Sequence, residues 1–180
     1  MGKSSGATST TQTATQSMSS NPAKPAYARW PVYSNAAYGL SFRYPDNWTT
    51  TGDSTYNPAM SATRTEFGTS LARKTSDKYS GTVNFEVLDE PLQTAEAWYD
   101  QYYVQTPIKV NKTTDDLKGR QSVQYDFVAP TYESKQYLFA VGSKTYLFSS
   151  VNESENVSAS STYWSDFDNV LTSLTIQNRT

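Results

Sequence analysis

The chain of 180 residues is predicted to form an α+β domain built on a mostly antiparallel sheet. Three observations predict that class: strand-like alternation recurs in several segments, short turns join them, and only two segments have helical periodicity. Short connections favour antiparallel neighbours, because parallel strands need a long crossover. The chain is long enough to bury one substantial core, so we expect a single domain.

Residues 1–28 are predicted to be a disordered Ser/Thr-rich spacer. They contain almost no large apolar side chain that could offset the entropy of ordering. Trp30 is the first side chain large enough to anchor on a core, so the domain is placed at residues 29–177, followed by a tail at 178–180. Such spacers are common in tethered exported proteins, and we therefore expect an anchor upstream of residue 1.

The first strand is predicted in Tyr38–Trp48, whose sequence is YGLSFRYPDNW. Leu40, Phe42 and Tyr44 alternate with polar residues, which is the period of a half-buried strand. A Pro-Asp-Asn turn follows, because proline presets φ and the two polar side chains bond the nearby backbone. Trp48 is expected to close the core beneath the strand.

The next strands are predicted from alternation of apolar and polar residues, which is weak in one segment and clear in the next. Residues 49–60 have no consistent period and are expected to form a loop, and TEFGTSLAR favours a strand only weakly. In GTVNFEVL, Val83, Phe85 and Val87 lie on one face and Leu88 on the other. Apolar residues on both faces predict a central strand that is covered on both sides.

Helical periodicity appears in two segments. In DEPLQTAEAWYDQYYVQ, Asp89 is the expected cap and Pro91 suits the first turn. Its apolar stripe comprises Leu92, Ala95, Tyr99, Tyr102 and Tyr103. In STYWSDFDNVLTSLTI, Ser161 is the expected cap. That stripe comprises Tyr163, Phe167, Val170, Leu171 and Leu174.

Between the two helices the period returns to that of strands. The segments are IKVNK, LKGRQSVQYDFVA, YESKQYLFAV and TYLFSSV. The last two are joined through Gly142-Ser143-Lys144, which predicts a hairpin with a short glycine-containing loop. Each helix must then cover a face of the sheet.

Taken together, these segments resemble the PsbP-like family, which includes the extrinsic photosystem II subunit and many bacterial exported lipoproteins. The resemblance rests on YGLSFRYPDNW, LQTAEAWYDQYY, LKGRQSVQYDF, KQYLFAVGSKTYLFSS and YWSDFDNVLTSLTI, and it covers about residues 32–176. It implies an α/β/α sandwich around an antiparallel sheet. It also implies a non-catalytic extracytoplasmic role. Histidine metal sites described in some members cannot be inherited, because this chain has no histidine.

Composition excludes several kinds of chemistry. Without histidine or cysteine, the chain has no Ser-His-Asp or Cys-His arrangement and no thiolate zinc site. A net charge of −2 offers no broad positive field, so nucleic acid is not expected as a partner. Adjacent carboxylates at Asp89-Glu90 and Asp115-Asp116 point apart on a strand or loop, which favours a helix cap and a solvated turn.

No cofactor is expected. Calcium is a minor alternative, because Asp46, Asn47 and Asp53 could offer hard oxygen ligands together with backbone carbonyls. The competing interpretation of these residues is a plain turn.

The leading functional hypothesis is a non-enzymatic, extracytoplasmic binding or adaptor module, membrane-tethered only through an upstream anchor. Its partner would be a protein or a cell-envelope component, and the sequence leaves the oligomeric state open. The chain has 14 tyrosines, some of which should remain exposed. The candidate docking residues are Arg43, Tyr102, Tyr103, Tyr132 and Tyr137. An exposed Arg43 beside other charges would mark a docking face, whereas pairing with a strand carboxylate would be architectural.

Two alternatives make different demands on the structure. A carboxylate-based hydrolase requires a concave pocket in which at least two ionisable groups converge. A carbohydrate-binding module that uses exposed aromatics requires a row of coplanar rings.

Overall fold

The computed structural model describes residues 24–54, 65–75, 78–152 and 157–177. In chain order the main elements are β1 (Val32–Asn35), β2 (Leu40–Arg43), β3 (Trp48–Ser54), β4 (Thr65–Thr75), β5 (Lys78–Leu88), α1 (Leu92–Val104), β6 (Val110–Asp116), β7 (Gln121–Val128), β8 (Glu133–Val141), β9 (Lys144–Asn152), α2 (Val157–Ser173) and β10 (Thr175–Ile176). Neither helix in these ranges combines the length and apolar character needed to cross a membrane.

The strands form two antiparallel sheets. The larger sheet has seven strands in the order β3-β4-β5-β9-β8-β7-β6, and the smaller has three in the order β1-β2-β10. In the larger sheet β5 lies between β4 and β9, with Phe85 opposite Phe148. The hairpin of β8 and β9 turns at Gly142, whose φ of 62° suits glycine.

The two helices lie on opposite faces of the seven-stranded sheet. On one face α1 packs over Val123, Leu138 and Leu147. On the other face α2 and the small sheet pack over a core that includes Phe85 and Phe148. The predicted α+β class and the α/β/α sandwich around an antiparallel sheet are therefore confirmed.

Several predicted elements are confirmed residue by residue. Leu40 and Phe42 are buried on β2, and Trp48 is buried beside them. Strand β5 has apolar residues on both faces, since Phe85 joins the α2-side core and Leu88 joins the α1-side core. The whole predicted stripe of α2 is buried.

Other local predictions are wrong. Residues Trp48–Ser54 form β3 rather than a loop, and residues 55–60 lie outside the described part of the chain. Helix α2 begins at Val157, so Ser161 lies inside it and is not its cap. Helix α1 has Pro91 at its N-cap with no side-chain cap, and Asp89 binds Lys144 instead, with Oδ1 3.2 Å from Nζ.

The small sheet is an addition to the predicted elements. No strand was predicted at Val32–Asn35, and the closing helix was predicted to run to Ile176, but β1 and β10 both pair with β2. Of the predicted spacer, residues 1–23 lie outside the described residues, and a 3₁₀ turn occupies Ala26–Arg29. The predicted tail at 178–180 also lies outside them, so both boundaries stay predictions.

Candidate functional site

Three of the five candidate docking residues lie together on the α1 side of the sheet. Tyr102 and Tyr103 project from the last turn of α1, and Tyr132 lies in the connection between β7 and β8. All three are partly exposed. Arg43 and Tyr137 lie on the opposite side and do not join them.

Ring contacts connect these tyrosines into one surface. Tyr102 stacks on Trp98, one helical turn earlier, with 5.4 Å between ring centroids, and lies 5.2 Å from Tyr103. Phe127 on β7 bridges Tyr103 and Tyr132 at 5.6 and 5.9 Å. We call this set of five residues, Trp98, Tyr102, Tyr103, Phe127 and Tyr132, the α1 aromatic face.

Hydrogen bonds fix the rings beneath this surface. The Tyr103 hydroxyl donates to Gln136 Oε1 at 2.6 Å, and the Tyr125 hydroxyl donates to Asp100 Oδ1 at 2.8 Å. Burial is the main cause that raises the pKa of Tyr103 and of Tyr125. Both phenols therefore stay protonated at neutral pH, which suits donors and not general bases.

The carboxylates of α1 are held by a lysine from the edge strand. Lys112 Nζ lies 2.7 Å from Glu96 Oε1 and 2.6 Å from Asp100 Oδ2. Its ammonium also lies 5.6 Å from the centroid of the Tyr125 ring. These contacts tie β6 to the helix and engage the acidic groups of α1.

At the end of α1, Val104 is 86% exposed. An aliphatic side chain so open to solvent beside Tyr102 and Tyr103 extends the apolar area beyond the rings.

Arg43 fits neither of the two outcomes predicted for it. It is half-buried, and its guanidinium donates to the Trp30 carbonyl at 2.8 Å. Its backbone N–H donates to Ser173 Oγ at 2.8 Å. Arg43 thus joins the start of the domain to the end of α2, and its role is architectural.

Tyr137 faces α2. Its ring lies 6.0 Å from that of Phe167, as part of the larger core. Burial, followed by the charges of Asp126, Asp168 and Asp115, raises the pKa of Tyr137 to about 12.

A cavity of about 440 Å³ opens between α2 and the strands β6, β7 and β8. We call it the Trp164 cavity. The residues that line it are Lys109, Asn111, Asp126, Phe127, Val128, Glu133, Ser134, Lys135 and Trp164. Sequence reasoning missed this site. The available signal was Trp164 itself, a large aromatic residue that lies off the apolar stripe of an amphipathic helix.

A second cavity, of about 590 Å³, lies beside the hairpin of β8 and β9. Its charged wall consists of Glu66 and Lys144, which bind each other with 2.5 Å between Oε2 and Nζ. Both cavities thus contain ionisable groups, as the hydrolase alternative requires. Among the described residues, however, no group of three acidic side chains comes close enough together to hold a metal ion.

The calcium alternative involves residues that the structure places in different settings. Asp46 and Asn47 are exposed in the turn after β2, whereas Asp53 belongs to β3. No observation tests calcium binding there, and it stays a prediction.

The fold is similar to that of solved proteins. Cyanobacterial PsbP (CyanoP) from Synechocystis aligns over 82% of this chain and 92% of its own, with a TM-score of 0.51 and 13% sequence identity. The chain has a PsbP-like fold. The resemblance drawn from the sequence is thereby confirmed for the architecture.

A protein from Bacteroides thetaiotaomicron also shares this PsbP-like fold. The similarity covers 82% of this chain and 48% of that one, with a TM-score of 0.50 and 9% identity. The PsbP-like chain therefore spans about half the length of the Bacteroides protein. No protein-family model and no curated protein matches the sequence. At these identities the similarity establishes the fold alone.

Proposed function

We propose that this chain is a non-enzymatic binding module that docks on a protein partner through the α1 aromatic face. The observation that carries the proposal is the run of ring contacts from Trp98 to Tyr132, in which four rings are partly exposed and a buried Phe127 links two of them. Tryptophan and tyrosine dominate the energetic centres of protein interfaces, because large rigid rings bury much area at small entropic cost.

The setting of the rings supports docking. The hydrogen bond of Tyr103 to Gln136 and the stacking of Tyr102 on Trp98 hold the rings in place before any partner arrives. A preorganised surface loses less side-chain entropy on association. Tyr102 and Trp98 each cover part of the other's ring face. Such a surface suits a protein partner better than a sugar, which packs on a row of open, coplanar rings.

The electrostatics of the same region support a non-catalytic role. The phenols of Tyr103 and Tyr125 have raised pKa values, and Lys112 pairs with both Glu96 and Asp100. A general base needs a pKa near the working pH and an available lone pair. We therefore assign no catalytic role to any residue on this face.

We place the module outside the cytoplasm, tethered through its N-terminal spacer. The support is compositional: the spacer is rich in Ser and Thr, which is common in tethered exported proteins. Protease treatment of intact source cells tests this placement. Degradation of the protein without cell lysis is expected, and full protection would contradict it.

Site-specific photo-crosslinking tests the docking face. The photoreactive residue p-benzoylphenylalanine is introduced at Val104 beside the rings or, as a control, at Val32 in β1, which is 52% exposed. Irradiation in source cells should yield one discrete protein adduct from position 104 that is missing from position 32. Identical adduct patterns from both positions would overturn the proposal.

The captured partner, once purified, allows a direct measurement of affinity. Tyr102→Ser and Tyr132→Ser should each weaken binding about tenfold or more, as expected for truncated interface aromatics. Tyr27→Ser, which alters a partly exposed tyrosine outside the α1 aromatic face, provides the matched control. Equal affinities for all three variants would show that the adduct does not report docking through these rings.

A further inference from the structure

We propose that the Trp164 cavity binds a neutral polyhydroxylated ligand, such as one hexose unit of a glycan. The cavity shares only Phe127 with the α1 aromatic face, and Trp164 contributes to it from α2 on the other side of the sheet, so this site is additional to the proposed docking function. Three observations carry the inference: a fixed aromatic wall, a carboxylate oxygen without a donor, and a lining with balanced charge.

The aromatic wall is held in one orientation. The Trp164 indole N–H donates to Glu133 Oε2 at 2.6 Å, and the ring meets Phe167 edge-on at 5.8 Å. Lys135 Nζ lies over one face of the ring, 4.9 Å from its centroid, so that face carries a cation. The rest of the indole that lines the cavity gives an apolar surface against which the C–H groups of a sugar ring can pack.

The unsatisfied acceptor belongs to Asp126. Its Oδ2 accepts from Gln124 Nε2 at 2.6 Å, whereas Oδ1 is buried and meets no donor among the residues that the structure describes. A buried carboxylate oxygen without a donor is costly, and a ligand hydroxyl can satisfy it. Asn111, which faces the same space, can both donate and accept.

The charges of the lining give an ion no net attraction. Lys109 and Lys135 oppose Asp126 and Glu133 around the same cavity, so the formal charges cancel. A charged ligand would therefore lose its hydration without a net electrostatic gain. A neutral ligand with hydroxyls that both donate and accept matches a lining that contains both donors and acceptors.

The volume of about 440 Å³ is enough for a monosaccharide and too small to enclose a long oligosaccharide. Affinity should be modest, because a ligand with about a dozen non-hydrogen atoms at ordinary efficiency reaches a Kd on the order of 1–10 mM.

The test is an NMR titration of the full chain with three probes of nearly equal size: glucose, the cationic glucosamine and the anionic glucuronate. Each is added to about 50 mM, which exceeds the expected Kd. Glucose should shift the Trp164 indole N–H resonance saturably, with a Kd at least threefold lower than that of either charged sugar. Trp164→Phe assigns this resonance among those of the four tryptophans.

Two outcomes would overturn the proposal. One is the absence of a saturable shift with glucose; the other is tenfold tighter binding of glucuronate or glucosamine, which would make the cavity an ion site. These results do not bear on the crosslinking at position 104, so the two proposals fail separately.

Variants then locate the contact, with binding followed through the backbone amide resonances of the cavity lining, because Trp164→Ala lacks the indole N–H. Trp164→Ala should weaken glucose binding at least tenfold and Asp126→Asn at least threefold, whereas Trp98→Ala on the α1 aromatic face should change it less than twofold. Circular dichroism checks that each variant is folded. Equal loss in Trp98→Ala would contradict the assignment.

Discussion

The two faces of the seven-stranded sheet are built differently. On the α2 side, Phe42, Phe85, Phe148 and Phe167 contact one another within the larger core. The same core also buries Tyr146 and Tyr163, so tyrosine occurs on both sides. On the α1 side the rings are tyrosines apart from Trp98 and Phe127, and hydroxyls such as that of Tyr103 bind polar side chains. Burial of apolar rings stabilises the fold, whereas tyrosine keeps a surface both ordered and wettable. We therefore expect stability to depend most on the phenylalanines of the α2 side, whereas the proposed docking uses the α1 side.

The largest expected effect is loss of a phenylalanine from the α2 side. Phe167 is fully buried and stacks on Phe148 with 5.2 Å between centroids. Phe167→Ala should lower the free energy of unfolding by about 3–5 kcal/mol, since it loses burial and leaves a cavity. Urea denaturation measures it through the midpoint at constant m-value. A loss of less than about 1 kcal/mol would contradict the expectation that stability depends most on the α2 side.

The second effect comes from a close approach on the same side. A Cβ at Gly81 would lie 2.8 Å from Cζ of Tyr163 and 3.0 Å from the Val151 carbonyl oxygen. Gly81→Ala should cost about 1–3 kcal/mol through overpacking of the core. Thermal unfolding of Gly81→Ala and Gly142→Ala separates this clash from backbone strain, because a Cβ at Gly142 meets nothing within 4 Å. Equal losses would remove the steric explanation.

A smaller effect is expected on the α1 side. Tyr103→Phe removes the hydroxyl that donates to Gln136 but keeps the ring, so it should cost about 1 kcal/mol. If the α1 side serves mainly for contact, this variant should bind the partner more weakly, because its ring is held less firmly. Its fold should stay intact. Chemical denaturation combined with the binding assay checks both parts. A loss of stability as large as that of Phe167→Ala would show that the α1 side stabilises the fold as much as the α2 side does.

The smallest effect concerns pH. Burial raises the pKa of the Asp166 carboxyl on α2, against the opposing influence of Arg73. A raised folded-state pKa favours the protonated form, so its stabilisation is complete below the unfolded pKa and is lost as pH rises through the folded pKa. Asp166→Asn should therefore be slightly more stable than the natural chain at pH 7, with no such gain near pH 3. A carboxyl NMR titration with a pKa below the ordinary value would contradict this.

Periodicity predicted the long elements whose buried side chains recur regularly. The apolar stripe of α2 and the alternation of β5 were both visible, because each buried side chain lies at a regular spacing. Strands β1 and β10 were not, since four and two residues are too few to establish a period. The start of α2 at Val157 was also hidden, because its first residues, Val-Ser-Ala-Ser, place no large apolar side chain at the spacing of the stripe.

The two candidate sites also differ in how far the sequence could predict them. Tyr102 and Tyr103 were expected to stay partly exposed, because 14 tyrosines in one chain of this size are more than its core needs, and both are partly exposed. The Trp164 cavity was not, because Asp126, Lys135 and Trp164 come from three separate elements. Only the register of β7 with β8, which sets Asp126 opposite Lys135, and the packing of α2 bring them together.

The small sheet gives the domain a mechanical property. Strands β1 and β10 flank β2 and are both antiparallel to it, so they run in the same direction. The chain enters opposite Arg43 and leaves opposite Leu40, so stretching the domain by its ends pulls β1 and β10 along their axes in opposite senses. Hydrogen bonds perpendicular to the strands then share the load. The protein should resist tension as a shear clamp, and its two-residue β10 should detach first.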